Sequence, residues 1–199
     1  LIQGEGGVMA LDKDYVEYAR ELCTEKNMLL IIDEVQTGNG RSGCLYSFMN
    51  YGIQPDIFTT AKGLGGGLPI GAAVLGEKVK DILTAGDHGS TFGGNPVCAA
   101  GALNVFGRID DELLKSVKEK SEYIISELKD LDGVEGISGM GLMLGIKTKK
   151  DAKAILKECL NRGVLVLTAK DKVRLLPALN IPMAELKKGI EILKEVISA

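Results

Sequence analysis

Apolar and polar positions follow two rhythms along this chain, and the rhythm changes about halfway. Between residues 12 and 26, Tyr15, Val16, Ala19, Leu22 and Cys23 recur at the spacing of one helix face, and Asp12 stands where an N-cap belongs. Met28-Leu29-Leu30-Ile31-Ile32 then runs unbroken into Asp33-Glu34. An apolar run of that length predicts a strand buried on both faces, as in a parallel sheet. Asp56-Ile57-Phe58-Thr59-Thr60 predicts a second strand and Ile70-Gly71-Ala72-Ala73-Val74-Leu75 a third, with a glycine-rich loop between them. A helix followed by strands and glycine loops reads as part of an open α/β sheet.

After about residue 107 the pattern becomes that of a smaller α+β segment. Residues 110–131 predict a long charged amphipathic helix with Leu113, Leu114, Val117, Ile124, Ile125 and Leu128 inward. Short strands follow near 134–138 and 142–147, then a helix at 151–161 and strands near 164–168 and 173–176. A closing helix at 183–197 buries Leu186, Ile190, Leu193 and Ile197. The expected division is 1–107 and 108–199.

Composition sharpens this picture in a few places. Glycine supplies 26 of 199 residues, roughly double the average share of about 7%. These glycines crowd between apolar runs, where loops need positive φ or close backbone approach. A net charge of −3 and the absence of a basic stripe argue against a nucleic-acid partner. No apolar run approaches the roughly 20 residues of a membrane span, and no secretory pattern opens the chain. Cys23, Cys44, Cys98 and Cys159 form no CxxC pair and His88 is the single histidine, so no metal site is expected. Four free thiols suit a reducing cytosol, and a cytoplasmic location is expected.

Several residues stand where chemistry is done in such folds. Ligands of open α/β sheets bind beyond the carboxyl ends of the strands. Asp33 lies at one such end; alone it reads equally well as an ordinary strand-end carboxylate facing water. Lys62 lies past another, before Gly63-Leu64-Gly65-Gly66-Gly67, as a phosphate ligand, an amine nucleophile or merely a solvated lysine. The loop lacks the Gly-Lys-Ser/Thr order of a P-loop. Gly89-Ser90-Thr91-Phe92-Gly93-Gly94-Asn95 offers hydroxyls and amides before a helix opening at Pro96, which suits an anion or simply a capped connector. The adjacent His88 reads as structural. Arg174, in Val173-Arg174-Leu175-Leu176-Pro177, either pairs with an internal carboxylate or receives one from a ligand.

The combination is more specific than its parts. Leu30-Ile31-Ile32-Asp33-Glu34-Val35-Gln36-Thr37-Gly38, continuing through Gly40-Arg41, resembles a signature of the class III (ornithine-type) pyridoxal-phosphate aminotransferases. So do Thr59-Thr60-Ala61-Lys62-Gly63-Leu64-Gly65-Gly66-Gly67-Leu68-Pro69-Ile70-Gly71 and His88-Gly89-Ser90-Thr91-Phe92-Gly93-Gly94-Asn95-Pro96, in the family's order. The resemblance implies the fold-type I large domain, a mostly parallel sheet with helices, followed by a small C-terminal α+β domain. Its cofactor would be pyridoxal 5'-phosphate.

By the same resemblance Lys62 would carry the cofactor as a Schiff base and shuttle a proton at the substrate α-carbon. Asp33 would hold the pyridine nitrogen protonated. Val35 would pack on the ring and Gln36 reach its hydroxyl side. Thr91 with Ser90 would bind the cofactor phosphate across a homodimer interface. Arg174 would receive a substrate carboxylate, and Glu5, in Gln3-Gly4-Glu5-Gly6-Gly7, would pair with that arginine when no carboxylate is bound. Gly163-Val164-Leu165-Val166-Leu167-Thr168-Ala169 and the Arg174 block point within the family to amino transfer between N-acetylornithine and 2-oxoglutarate. Ornithine, succinylornithine and 4-aminobutyrate are the alternatives, and an inert dimerising module is another. The match begins inside the family's pattern, so the chain is expected to be the C-terminal half of a longer enzyme. The glycine-threonine phosphate loop, a ring-stacking aromatic and an upstream substrate arginine would lie before Leu1.

Overall fold

The computed structural model describes residues 1–199. In chain order the elements are β1 (Ile2–Gln3), β2 (Met9–Ala10), α1 (Lys13–Glu25), β3 (Ile31–Asp33), β4 (Ile57–Thr60), β5 (Ala72–Leu75) and α2 (Pro96–Phe106). They continue with α3 (Asp111–Leu128), β6 (Val134–Met140), β7 (Met143–Thr148), α4 (Ala152–Asn161), β8 (Leu167–Ala169), β9 (Lys172–Leu175) and α5 (Met183–Ser198). The chain divides into two units. The first holds Leu1, Leu11–Gly40 and Cys44–Asp111; the second holds Ile2–Ala10, Arg41–Gly43 and Glu112–Ala199.

In the first unit α1 starts where the sequence expects, because Asp12 Oδ1 accepts the Asp14 N–H at 2.9 Å. β3 and β4 run parallel, with Ile31 beside Ile57 and Asp33 beside Thr59. β5 is antiparallel to β4, so the expected mostly parallel sheet is realised by one strand pair only. The connection from β4 to β5 is a glycine turn with one short 3-10 helix at Lys62–Gly65, too short for the crossover of a dozen or more residues that a parallel return needs.

β3 is also shorter than its apolar run, and it is not buried on both faces. Ile32 is 4% exposed and Ile31 59%, because β4 is the strand's one neighbour and one face alone is packed. That face meets Tyr46, Phe48 and Phe58, whose ring centroids stand 4.5–5.7 Å apart. Asp56 Oδ2 ties the layers together. It accepts Arg20 Nη1 of α1 at 2.9 Å and the Leu30 N–H ahead of β3 at 2.8 Å. Asn95 caps α2 through bonds from Val97 N and Cys98 N, with Pro96 in its first turn.

The second unit is a four-stranded antiparallel sheet in the order β6-β7-β9-β8, with α3, α4 and α5 supplying the apolar residues of its core. β6 and β7 join through Gly141-Leu142. Gly141 has φ +57 and Leu142 is not at positive φ, the arrangement of a II′ hairpin, which calls for glycine first. The inward stripe of α3 differs from expectation. Val117, Lys120, Ser121, Ile124 and Leu128 are buried, whereas Ile125 is exposed. Lys120 lays its stem inward and donates Nζ to the Leu179 carbonyl at 2.8 Å; burial lowers its pKa below the ordinary lysine value.

The β1–β2 hairpin belongs to this second unit, although the sequence assigns it to the first half. Val8 is the reason. It is fully buried at φ +54, an unusual backbone for a β-branched residue. A Cβ on Gly145 of β7 would lie 2.9 Å from Val8 Cβ. The missing side chain is the notch that seats the valine.

Candidate active site

Asp33 and Lys62 leave the sheet at the same end. Because β3 and β4 are parallel and Asp33 pairs with Thr59, the carboxyl termini of both strands open on one edge, the edge where such sheets bind ligands. Asp33 is exposed, and its carboxylate is oriented by its own neighbourhood. Oδ1 accepts the Val35 N–H at 2.8 Å and the Thr59 hydroxyl at 3.2 Å. Both bonds fall on one oxygen and leave Oδ2 free to meet an external donor.

Glu34, next in sequence, points the opposite way and is fully buried. Its Oε1 accepts Ser47 Oγ at 2.6 Å and Phe48 N at 3.0 Å, and its Oε2 accepts Thr37 Oγ1 at 2.5 Å. Three donors satisfy the carboxylate and anchor the turn that carries Val35 and Gln36, both half-buried. The strand's two-residue period is the signal that separates the acids into one inward and one outward group. Thr59, which donates to Asp33, and Glu34, which anchors the following turn, are contacts that the sequence reading passes over.

Lys62 opens the 3-10 turn after β4 and is exposed, at φ +50. Residues 88–95 are exposed except for half-buried Asn95. Within them Ser90 Oγ accepts the Gly93 N–H at 2.9 Å, which folds the loop into a tight turn with Thr91 at its surface. His88 is exposed as well and has no hydrogen-bonded partner in the core.

The second unit holds the remaining two expected residues together. Arg174, on β9, is 3% exposed. Its Nη1 donates to Glu5 Oε1 at 2.5 Å, while the Glu5 side chain is 82% exposed. Arg174 Nε is buried with no partner. The guanidinium is thus held by one carboxylate, that of Glu5, whose own side chain faces water. Arg41 is a clip of another kind, holding the Leu142 and Pro177 carbonyls at 3.1 and 2.5 Å.

The residues present fit pyridoxal phosphate. There is a carboxylate oxygen held free for a ring nitrogen, an amine at the neighbouring strand end for the aldehyde, and a glycine-rich hydroxyl turn for the phosphate. No helix is long and apolar enough to cross a membrane.

Comparison with known proteins agrees. The chain is 45% identical over 200 residues to an acetylornithine aminotransferase of Haemophilus ducreyi, covering 100% of this chain and 51% of that protein. It is 43% identical to one of Methanocaldococcus jannaschii, again over 51% of its length. Among solved structures, the N-acetylornithine aminotransferase of Stenotrophomonas maltophilia superposes with a TM-score of 0.88 at 36% identity, covering 99% of this chain and 54% of that one. The ornithine δ-aminotransferase of Plasmodium falciparum also reaches 0.88, at 33% identity over 98% of this chain and 54% of its own. The chain thus spans about half the length of the relatives it matches. The aminotransferase class-III family profile matches residues 1–197, and with that span, these identities and two strand ends carrying Asp33 and Lys62, the chain belongs to the class-III aminotransferases, a family of pyridoxal-phosphate enzymes.

Proposed function

We propose that the protein carrying this chain moves the δ-amino group of N-acetylornithine to 2-oxoglutarate, giving N-acetylglutamate 5-semialdehyde and glutamate. The observation that carries the reading is the pairing at one sheet edge of Lys62 with an Asp33 whose Oδ2 is left free. The names of its relatives supply the substrate.

Bound pyridoxal phosphate supplies an aldehyde for amine exchange and a protonated ring that accepts an electron pair. This chain's residues do the rest. Lys62 Nζ holds the cofactor between turnovers, then takes and returns the proton at the carbon bearing the transferred amine. Asp33 Oδ2, kept in place by the two bonds on Oδ1, holds the proton on the ring nitrogen by charge and hydrogen bond. Val35 would pack on the ring of the bound group and Gln36 would reach its hydroxyl side. Ser90 and Thr91, exposed here, bind phosphate in a site completed by a second copy of the chain. Arg174 binds a carboxylate of glutamate or 2-oxoglutarate, and Glu5 pairs with it when the occupant is the uncharged arm of N-acetylornithine, since a buried unpaired cation is costly.

Ornithine transfer is the second reading, favoured by the equal superposition on an ornithine δ-aminotransferase. The test has two parts. Borohydride reduction of the holoprotein should fix the cofactor on the peptide containing Lys62, and a label confined to other lysines would remove the assignment. Donor profiling then separates the readings: N-acetylornithine should exceed ornithine, succinylornithine and 4-aminobutyrate in kcat/KM.

A further inference from the structure

Lys62 occupies a backbone position that a lysine does not choose by itself. Its φ of +50 lies in the left-handed region, disfavoured for any residue with a Cβ. The peptide entering it is held from two directions. The Ala61 carbonyl oxygen accepts the Leu64 N–H at 3.1 Å, closing the short 3-10 turn. The same oxygen accepts Asn39 Nδ2 at 3.1 Å, from 22 residues away in the chain. Two donors on one carbonyl fix the rotation of the planar 61–62 peptide, and that plane sets the direction in which the Lys62 side chain departs.

Asn39 is itself built into place. It is 6% exposed and stands at φ +55, a conformation asparagine tolerates better than most residues. The other proton of Nδ2 goes to the hydroxyl of buried Thr60, Oγ1, at 3.2 Å. On the far side of the lysine, a Cβ on Gly63 would lie 3.6 Å from Asn39 Cβ, so Asn39 also lies close to the chain just after Lys62. Its Oδ1 is buried with no partner. Both hydrogen bonds of the side chain run through its amide nitrogen. The side chain's use is in its donors.

We propose that Asn39 is a positioning residue for Lys62, pinning the Ala61 carbonyl so that the lysine amine is aimed at the cofactor. This rests on the reading of Lys62 as the cofactor-bearing lysine. It gives position 39 a part in the rate at which the cofactor is taken up as well as in turnover.

Three variants of the holoprotein, stripped of cofactor and rebuilt with pyridoxal 5'-phosphate, test it. Asn39→Gly keeps a residue at ease at positive φ and removes both donors. Asn39→Asp keeps the volume and sets an acceptor against the Ala61 oxygen. Thr60→Val removes the Thr60 contacts and leaves the Ala61 bond. The readouts are the rate of borohydride-trapped capture at Lys62, the visible circular dichroism of the bound chromophore, and the melting temperature without cofactor. Both Asn39 variants should slow capture about fivefold or more, the equilibrium weight of one typical hydrogen bond, and alter the dichroic band. Thr60→Val should lower the melting temperature and leave capture and dichroism as in the wild type. Unchanged capture and dichroism in the Asn39 variants overturns the proposal, as does an equal loss in Thr60→Val or loss of cooperative melting in both Asn39 variants. No capture at Lys62 in the unsubstituted protein is a separate failure, which removes the reading of Lys62 itself.

Discussion

Replacing Glu34 with leucine should cost the fold about 3 kcal/mol, and replacing it with glutamine about 1 kcal/mol or less. The difference follows from what the carboxylate accepts. Phe48 N–H, Ser47 Oγ and Thr37 Oγ1 all end on it in a fully buried pocket. Leucine removes every acceptor at once. The Phe48 amide cannot turn elsewhere, while the two hydroxyls, 3.4 Å apart, can partly satisfy each other. About two donors are then orphaned at roughly 1–3 kcal/mol each, offset by about 1 kcal/mol of apolar burial. Glutamine keeps its carbonyl oxygen toward Ser47 and Phe48 and offers its NH2 to Thr37, whose hydroxyl can reverse and accept. Urea denaturation of the holoprotein with each variant measures the gap, and hydrogen exchange at Phe48 locates it. Equal stability of the leucine and glutamine variants, with Phe48 still protected, would refute the argument.

Two further outcomes concern charge. Glu5→Gln should free Arg174 for α-carboxylates, so single-turnover rates should rise for glutamate relative to N-acetylornithine; an equal change for both donors would make the pair merely structural. Asp56 is pushed up by burial, but the Leu30 N–H and the Arg20 guanidinium outweigh that and hold its pKa below the usual carboxylate value. A depressed folded pKa gives stability that is present above the unfolded value of about 3.9 and lost as pH falls through the lower folded one. Wild type should therefore melt above Asp56→Asn near neutral pH, with the gap closing below about pH 4. A constant gap from pH 7 to pH 3 would contradict the pairing.

Much of this was legible in the chain because the information is local. Asp12 capping α1 and the apolar stripe of α5 each depend on neighbours a few residues away, and the structure places them as capping and periodicity require. Asp33 and Lys62 were legible as strand-end residues for the same reason. What periodicity does not carry is the partner across space. The apolar run before Asp33 looks buried on both faces, yet Ile31 is exposed because one strand and one aromatic layer cover β3. Ile125 looks as inward as Ile124, and Lys120 takes the inner position because a carbonyl at Leu179 waits for its amine. Helix starts, strand identity and the candidate chemistry of single residues were thus set by the sequence, through steric and hydrogen-bonding preferences acting within a turn or two. Tertiary structure alone decided that Ser47, Phe48 and Thr37 meet the buried Glu34 carboxylate, that the hairpin bearing Glu5 joins β7 through Val8, and that Asn39 reaches the peptide ahead of Lys62. Each of those depends on a donor, an acceptor or an empty volume supplied by a segment distant in the chain, and no local preference encodes it.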